Sequence, residues 1–238
     1  MNPGPPRGPV DPGESVLICC WSLKGGSGVT VIAAALAIAA SADEAALAVD
    51  LGGDLPTVLG LPDPAGAGVL DWLAASSDVG AVALHRIEAE ASPTLGLIPC
   101  GRGQPRADRW GELVDALDDD GRNVVVDAGT WPVSPELLGG CDASLLVVRT
   151  CYLALRRAAS LPVRPSGIVL VSEQGRALGR IDAEHIVGSP VVAEVPVVGA
   201  VGRAVDSGLF NTRMPSVLAM DHLFARLSFS SPRPWWFR

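Results

Sequence analysis

The chain has 238 residues, a formal net charge of -8, 48% hydrophobic and 18% charged residues. That length suits one large α/β domain, and the apolar share excludes wholesale disorder. The acidic balance excludes a general nucleic-acid coat, which needs many cationic contacts to phosphates. Residues 1–14 hold Pro3, Pro5, Pro6, Pro9 and Pro12 among glycines, without the apolar stretch of a signal peptide. They are expected to form a disordered Pro/Gly-rich tail. A strand is predicted over 15–22 (SVLICCWS), then a glycine-rich loop over 23–28 and a helix over 29–42. The apolar run 29–40 is too short to span a bilayer, and the expected location is the cytoplasm. A strand follows over 45–51, a short helix over 69–75, and a strand over 94–99. Residues 106–117 read as a helix with Trp110, Leu113, Val114 and Leu117 on one face. Strands are predicted over 123–127, 143–149, 167–171 and 190–195, with a helix over 152–161. A last helix, 215–227, carries Val217, Leu218, Met220, Leu223, Phe224 and Leu227 on one face.

Near-continuous apolar strands separated by helices indicate a parallel sheet covered on both faces. The expected fold is therefore α/β: a doubly wound, mostly parallel sheet in a three-layer sandwich, in one domain over 15–227. Ligands in such folds bind beyond the carboxyl ends of the strands. The five cysteines (Cys19, Cys20, Cys100, Cys141, Cys151) show no metal-ligand spacing, and Cys19 and Cys20 read as buried free thiols. His85, His185 and His222 are isolated and read as surface or packing residues.

Lys and Arg together number 18, and a single one is lysine, Lys24. It lies in the loop between the first strand and the first helix. Strand, glycine loop and helix N-terminus form a geometry that cradles phosphates, because successive N–H groups and the helix dipole attract an anion. Thr30 is placed to offer a hydroxyl to Mg²⁺. A standard P-loop reads GxxxxGK[ST], and here Val29 stands where its lysine belongs.

Lys24-Gly25-Gly26-Ser27-Gly28-Val29-Thr30 resembles the deviant Walker A loop of the ParA/MinD superfamily, usually KGGxGK[ST]. The resemblance extends to Val49-Asp50-Leu51-Gly52-Gly53-Asp54, like the family's VDxD segment, and to 123–127 (NVVVD), like its Walker B strand. Residues 141–148 and Val195-Pro196 resemble its later strands. It implies a P-loop NTPase-like sandwich that binds ATP or ADP with Mg²⁺. Lys24, Gly25, Gly26, Ser27, Gly28, Val29, Thr30 and Asp127 would then bind the cofactor, and Thr30 and Asp127 the metal. Lys24, reaching across a homodimer, and Asp50 are the catalytic candidates. Asp54 is either a substitute acid or a helix N-cap.

Three departures bear on mechanism: Val29 for the P-loop lysine, Gly52 for the second acid of VDxD, and Ser172 for the usual asparagine after the sixth strand. Losing a phosphate-binding cation and a water-orienting carboxylate removes several kcal/mol of transition-state stabilisation. Loss of that lysine while KGG persists resembles the CpaE/TadZ branch, which helps position pilus machinery at a cell pole and has septum-site-determining relatives. The expected function is thus a nucleotide-binding positional switch or scaffold that dimerises on ATP, places a protein partner and hydrolyses weakly or not at all. An active ATPase using Lys24 and a nucleotide-free interaction module on the same fold are the alternatives.

Residues 228–238 end in Pro-Trp-Trp-Phe-Arg, and Arg213, Arg226, Arg233 and Arg238 outnumber Asp221 from residue 211 onward. Trp beside Arg suits a membrane interface or a protein partner, so peripheral contact at the inner membrane face is expected, with folding back onto the domain or a dimer mate as the alternative. Arg156, Arg157 and Arg164 are expected to decorate a solvated helix and its exit loop.

Overall fold

A computed structural model describes residues 15–228, apart from the side chains of Arg226 and Ser228. The terminal segments singled out above, 1–14 and 229–238, lie outside the described residues. Strands are β1 (Leu17–Ser22), β2 (Ala46–Asp50), β3 (Ala89–Ser92), β4 (Leu95–Ile98), β5 (Asn123–Thr130), β6 (Ala143–Arg149), β7 (Gly167–Ser172) and β8 (Val191–Pro196). They form one sheet in the order β3-β4-β2-β5-β1-β6-β7-β8, in which every pairing except the β3–β4 hairpin is parallel.

Helices α1 (Val29–Ala40), α2 (Leu55–Val58), α3 (Val69–Ala74), α4 (Ala81–His85) and α5 (Trp110–Asp118) occupy the first half of the chain. Helices α6 (Pro135–Gly140), α7 (Tyr152–Ala158), α8 (Arg180–Val187), α9 (Gly199–Asp206) and α10 (Asp221–Ser228) follow. Alternation along β1 shows the layering. Ile18 and Cys20 pack with α1, α2 and α10, whereas Leu17, Cys19 and Trp21 pack with α3 to α8. The sheet is therefore covered on both faces, as the apolar strands require. The expected doubly wound, mostly parallel sandwich is the observed fold.

Helix α1 is rich in alanine and lies against the sheet with Ala33 to Ala37 buried. Alanine has the highest helix propensity, and its small side chain lets a helix approach a sheet closely. The helix ends two residues before the predicted limit. Ser41 turns its hydroxyl onto the Ile38 carbonyl at 2.9 Å, and its N–H caps the carbonyl of Ala37.

Other boundaries moved for local reasons. Residues 106–109 precede α5 as a tight turn, a 3-10 helix over Ala107–Arg109, because Arg109 is drawn into the interior. The single helix expected over 215–227 is broken into a 3-10 turn at Ser216–Leu218 and α10, with Ala219 extended between them. The predicted strand over 123–127 continues to Thr130, where it pairs with Ser22.

The sequence reading missed β3, α2, α4, α6, α8 and α9. Strand β3 (AEAS) is short and partly exposed at the sheet edge, so it carries no apolar run. Helix α8 buries Ala183 alone, and α9 is short and glycine-interrupted, with Val201, Ala204 and Val205 only partly buried on its inner face. Cys19 and Cys20 are buried free thiols, as expected. His85 is not isolated: its Nδ1 lies 3.5 Å from the Asp120 carboxylate, in a group that includes Arg122 and Glu88.

Candidate functional site

The carboxyl ends of β1, β2 and β5 converge. Asp50 and Asp127 are register partners on adjacent strands, and Ser22 is the partner of Thr130. In front of these ends lies a cavity of about 760 Å³. One wall is the glycine loop with Gly25, Gly26, Gly28, Val29 and Thr30. Another is formed by Gly52, Asp54, Gly129 and Thr130, and an apolar wall by Leu70, Pro105, Trp110 and Pro132.

Gly26 and Gly28 have φ of +75° and +88°, a left-handed backbone that side chains other than glycine's rarely tolerate. A Cβ built on Gly25, Gly26 or Gly28 meets nothing within 4 Å. None of the hydrogen bonds among the described residues uses the N–H of these glycines. Gly28 is also the N-cap of α1 and brings no side-chain cap. The loop thus offers open space, backbone donors and a helix N-terminus together, which is the donor set of an anion nest.

Its carbonyls are engaged on the outer side. Lys24 O accepts the Ser27 hydroxyl at 2.8 Å and the Ser22 hydroxyl at 3.3 Å. Gly25 O accepts Lys24 Nζ at 3.1 Å, Gly26 O accepts Arg149 Nη1 at 3.2 Å, and Leu23 O accepts Arg157 Nη1 at 3.0 Å. The expectation that Arg157 merely decorates a solvated helix is therefore corrected: the α7 guanidinium bonds the loop. Val29 is buried, so that position presents no cation.

Asp127 is fully buried. Its Oδ1 accepts the Gly129 N–H at 3.0 Å. Its Oδ2 is the one buried side-chain polar atom without a hydrogen-bond partner among the described residues. Burial pushes its carboxyl up to about 6, against the lowering effect of the Thr30 hydroxyl and the Gly129 N–H. A Cβ built on Gly52 would stand 3.2 Å from Asp127 Oδ2, tighter than an ordinary contact, so position 52 lies directly against the orphaned oxygen. A buried carboxylate oxygen without a donor, next to a hydroxyl, suits a hard cation with oxygen ligands such as Mg²⁺. The residues present therefore fit the metal that the loop pattern implies.

Asp50 is placed differently. It is buried, with Oδ1 accepting the N–H groups of Gly52 (3.0 Å) and Gly53 (2.7 Å) and Oδ2 that of Leu55 (3.3 Å). Burial raises its carboxyl and these N–H groups oppose the rise. The geometry gives Asp50 the work of bracing the β2–α2 loop. Asp54 occupies the N-cap position of α2 without a side-chain cap bond, because Asp50 serves that helix end instead, and Asp54 is left exposed at the cavity.

Among the expected site residues, Gly25, Gly26, Gly28, Val29 and Thr30 line the cavity, whereas Ser27, Asp50 and Asp127 are buried in its supports. Lys24 is turned onto its own loop. Sequence reasoning missed Arg149 and the apolar wall. Arg149 is 123 residues from the carbonyl it meets, and its one available signal was its position as the last residue of an apolar strand.

No protein-family model and no curated protein matches the chain. Among solved structures it is similar to a ParA family ATPase from Chlorobium tepidum TLS, at 22% identity over 92% of this chain and 99% of that one, with a TM-score of 0.73. It is also similar to MinD in the MinC:MinD cell division complex of Aquifex aeolicus (18% identity, 90% and 96% coverage, TM-score 0.70). A third is the septum site-determining protein MinD of Pyrococcus horikoshii OT3 complexed with Mg-ADP (19%, 90% and 94%, 0.66). The fold of this chain is the fold of the ParA and MinD ATPases.

Proposed function

We propose that the chain is a ParA/MinD-like nucleotide switch that binds ATP or ADP with Mg²⁺, pairs with a second copy, and places a protein partner while turning ATP over slowly or not at all. The observation that carries this reading is the orphaned Asp127 Oδ2 behind an open glycine nest. Thr30 and Asp127 would hold the metal, and the loop N–H groups would hold the phosphates. Mg²⁺ would neutralise charge on the phosphates. Weak turnover follows from Val29 and from Gly52, where no carboxylate is present to orient water. One similar structure is of MinD together with MinC, which supports a protein partner. Placement in the CpaE/TadZ branch rests on KGG with Val29. Among the described residues no helix is long and apolar enough to cross a membrane.

Calorimetry with ATP and ADP, with and without Mg²⁺, tests the reading, followed by sizing of the same samples. Wild type is expected to bind both nucleotides and to run as a dimer with ATP. Lys24→Ala is expected to keep nucleotide binding within a few-fold and to lose the dimer. Wild type that binds neither nucleotide would instead support a nucleotide-free interaction module.

A further inference from the structure

We propose that Arg149 and Arg157 supply, from behind the glycine loop, the positive charge that Val29 does not. This rests on the nucleotide-binding reading above and deepens it by assigning the phosphate site's cations. Both arginines come from one stretch, the end of β6 and the last turn of α7, on the side of β1 away from Asp127. Arg149 Nη1 bonds Gly26 O and Arg157 Nη1 bonds Leu23 O. With Lys24 Nζ on Gly25 O and the two serine hydroxyls on Lys24 O, every carbonyl from 23 to 26 accepts a side-chain donor. Holding the carbonyls outward favours N–H groups that face the cavity, so the arginines act on the shape of the nest. They also act on its potential, because a guanidinium at one peptide's distance still attracts a phosphate in a partly desolvated site. A P-loop lysine does the same work from inside the cavity. Here the position for it is a buried valine.

The arrangement carries its own control. Glu173, following β7, pairs with Arg149 and also with Arg176. Its N–H bonds the Thr150 hydroxyl at 3.3 Å. The Glu173 carboxylate thus offsets part of the charge that Arg149 brings to the loop. Arg149 and Arg157 are positioning residues, and the phosphate is reached through the loop.

The test uses the full chain with inorganic pyrophosphate and ATP–Mg²⁺ as probes, measured by calorimetry over a range of salt. Arg149→Gln and Arg157→Gln are each expected to weaken pyrophosphate binding by about tenfold and to flatten its salt dependence, since a charge acting on the ligand is screened. Arg149→Lys should recover most of the loss in salt dependence. Glu173→Gln should tighten binding by a few-fold, a gain that a purely structural role does not give. Should an Arg→Gln variant fail to keep the wild-type melting profile, Arg149→Lys and Glu173→Gln decide the matter. Wild-type affinity and salt slope in Arg149→Gln and Glu173→Gln would overturn the proposal while leaving nucleotide binding intact. Wild type that binds neither probe overturns the nucleotide reading itself.

Discussion

Asp127→Asn is expected to make the nucleotide-free protein more stable near pH 7.5, by about 1–3 kcal/mol. Asp127 is buried, one of its oxygens has no partner, and its carboxyl is held up at about 6. An unfolded Asp titrates near 3.9. Between those values the folded chain holds a proton that the unfolded chain has lost. Wild-type stability therefore falls as pH rises from about 4 through about 6 and levels off above. Asparagine removes the titration, so the advantage of the variant should shrink to about half by pH 5 and vanish near pH 4. For a chain of this size the gain corresponds to a rise in Tm of about 2–12 °C. Denaturant unfolding in a chelating buffer at pH 5 and pH 7.5 checks the sign, because a variant less stable than wild type at pH 7.5 contradicts the burial argument. The same variant should lose Mg²⁺-dependent nucleotide binding. A residue whose removal stabilises the empty protein and abolishes ligand binding is kept for the ligand.

Arg109→Ala should have the opposite character: destabilisation by about 3–5 kcal/mol with no direct contact to the glycine loop. Arg109 is a fully buried arginine. Its Nη1 donates to the carbonyls of Trp72 (2.8 Å), Ser76 (3.0 Å) and Ala75 (3.3 Å), and its Nη2 to that of Val79 (2.8 Å). Glu112 Oε2 accepts from Nε and Nη2 at 3.0 and 2.8 Å, and the guanidinium carbon stacks 4.0 Å from the Trp72 ring centre. One side chain thus closes the end of α3 and the loop that follows, and ties both to α5. Truncation strands those carbonyls in the interior. Lysine is no replacement, because a point charge does not reproduce a planar fork that serves several acceptors. Arg109→Lys is expected to recover less than half of the loss. Leu70 on α3 and Trp110 beside Arg109 form part of the apolar wall, so ATP binding should weaken together with stability. Thermal unfolding with and without ATP–Mg²⁺ measures both effects. A Tm within about 2 °C of wild type in Arg109→Ala would refute the clamp.

These two residues show what could be read from sequence. Asp127 was visible because a carboxylate at the end of an apolar run, downstream of a glycine loop, is a short-range pattern. The strands were legible for the same reason, since burial on both faces writes continuous apolar runs such as 143–149. Arg109 was invisible. Its partners Trp72 to Val79 lie some thirty residues away, and nothing near Arg109 marks it as interior. Arg149 and Arg157 were hidden likewise, because the sheet order alone brings β6 beside β1 and so sets them against the loop. Asp50 and Asp54 show a subtler limit. Asp50 ends β2 and Asp54 follows four residues on, yet one side chain is consumed by three backbone donors and the other is exposed. Spacing cannot separate them, because the distinction depends on how the loop turns at Gly53, where φ is +95°.

The loss at Gly52 acquires a physical consequence from the structure. The Cβ position at 52 faces Asp127 Oδ2 at 3.2 Å and the Gly129 backbone at 3.4 Å. Any acid placed there would set a second carboxylate against one that burial already disfavours. The β2 and β5 loops close together on two glycines, leaving Asp127 as the buried carboxylate beside the nest and Asp54 as the exposed one at the cavity.

Binding with little or no turnover is tested by incubating the purified chain with γ-labelled ATP and Mg²⁺ and following retained ATP and released phosphate in the same sample. The expected result is stoichiometric ATP retained on the protein, displaced by excess cold ATP, with phosphate release that is slow against that retention or indistinguishable from a protein-free control. Phosphate release that runs through many turnovers while ATP is bound, and that is lost in Lys24→Ala, would contradict it and identify an active ATPase that works with Lys24 alone.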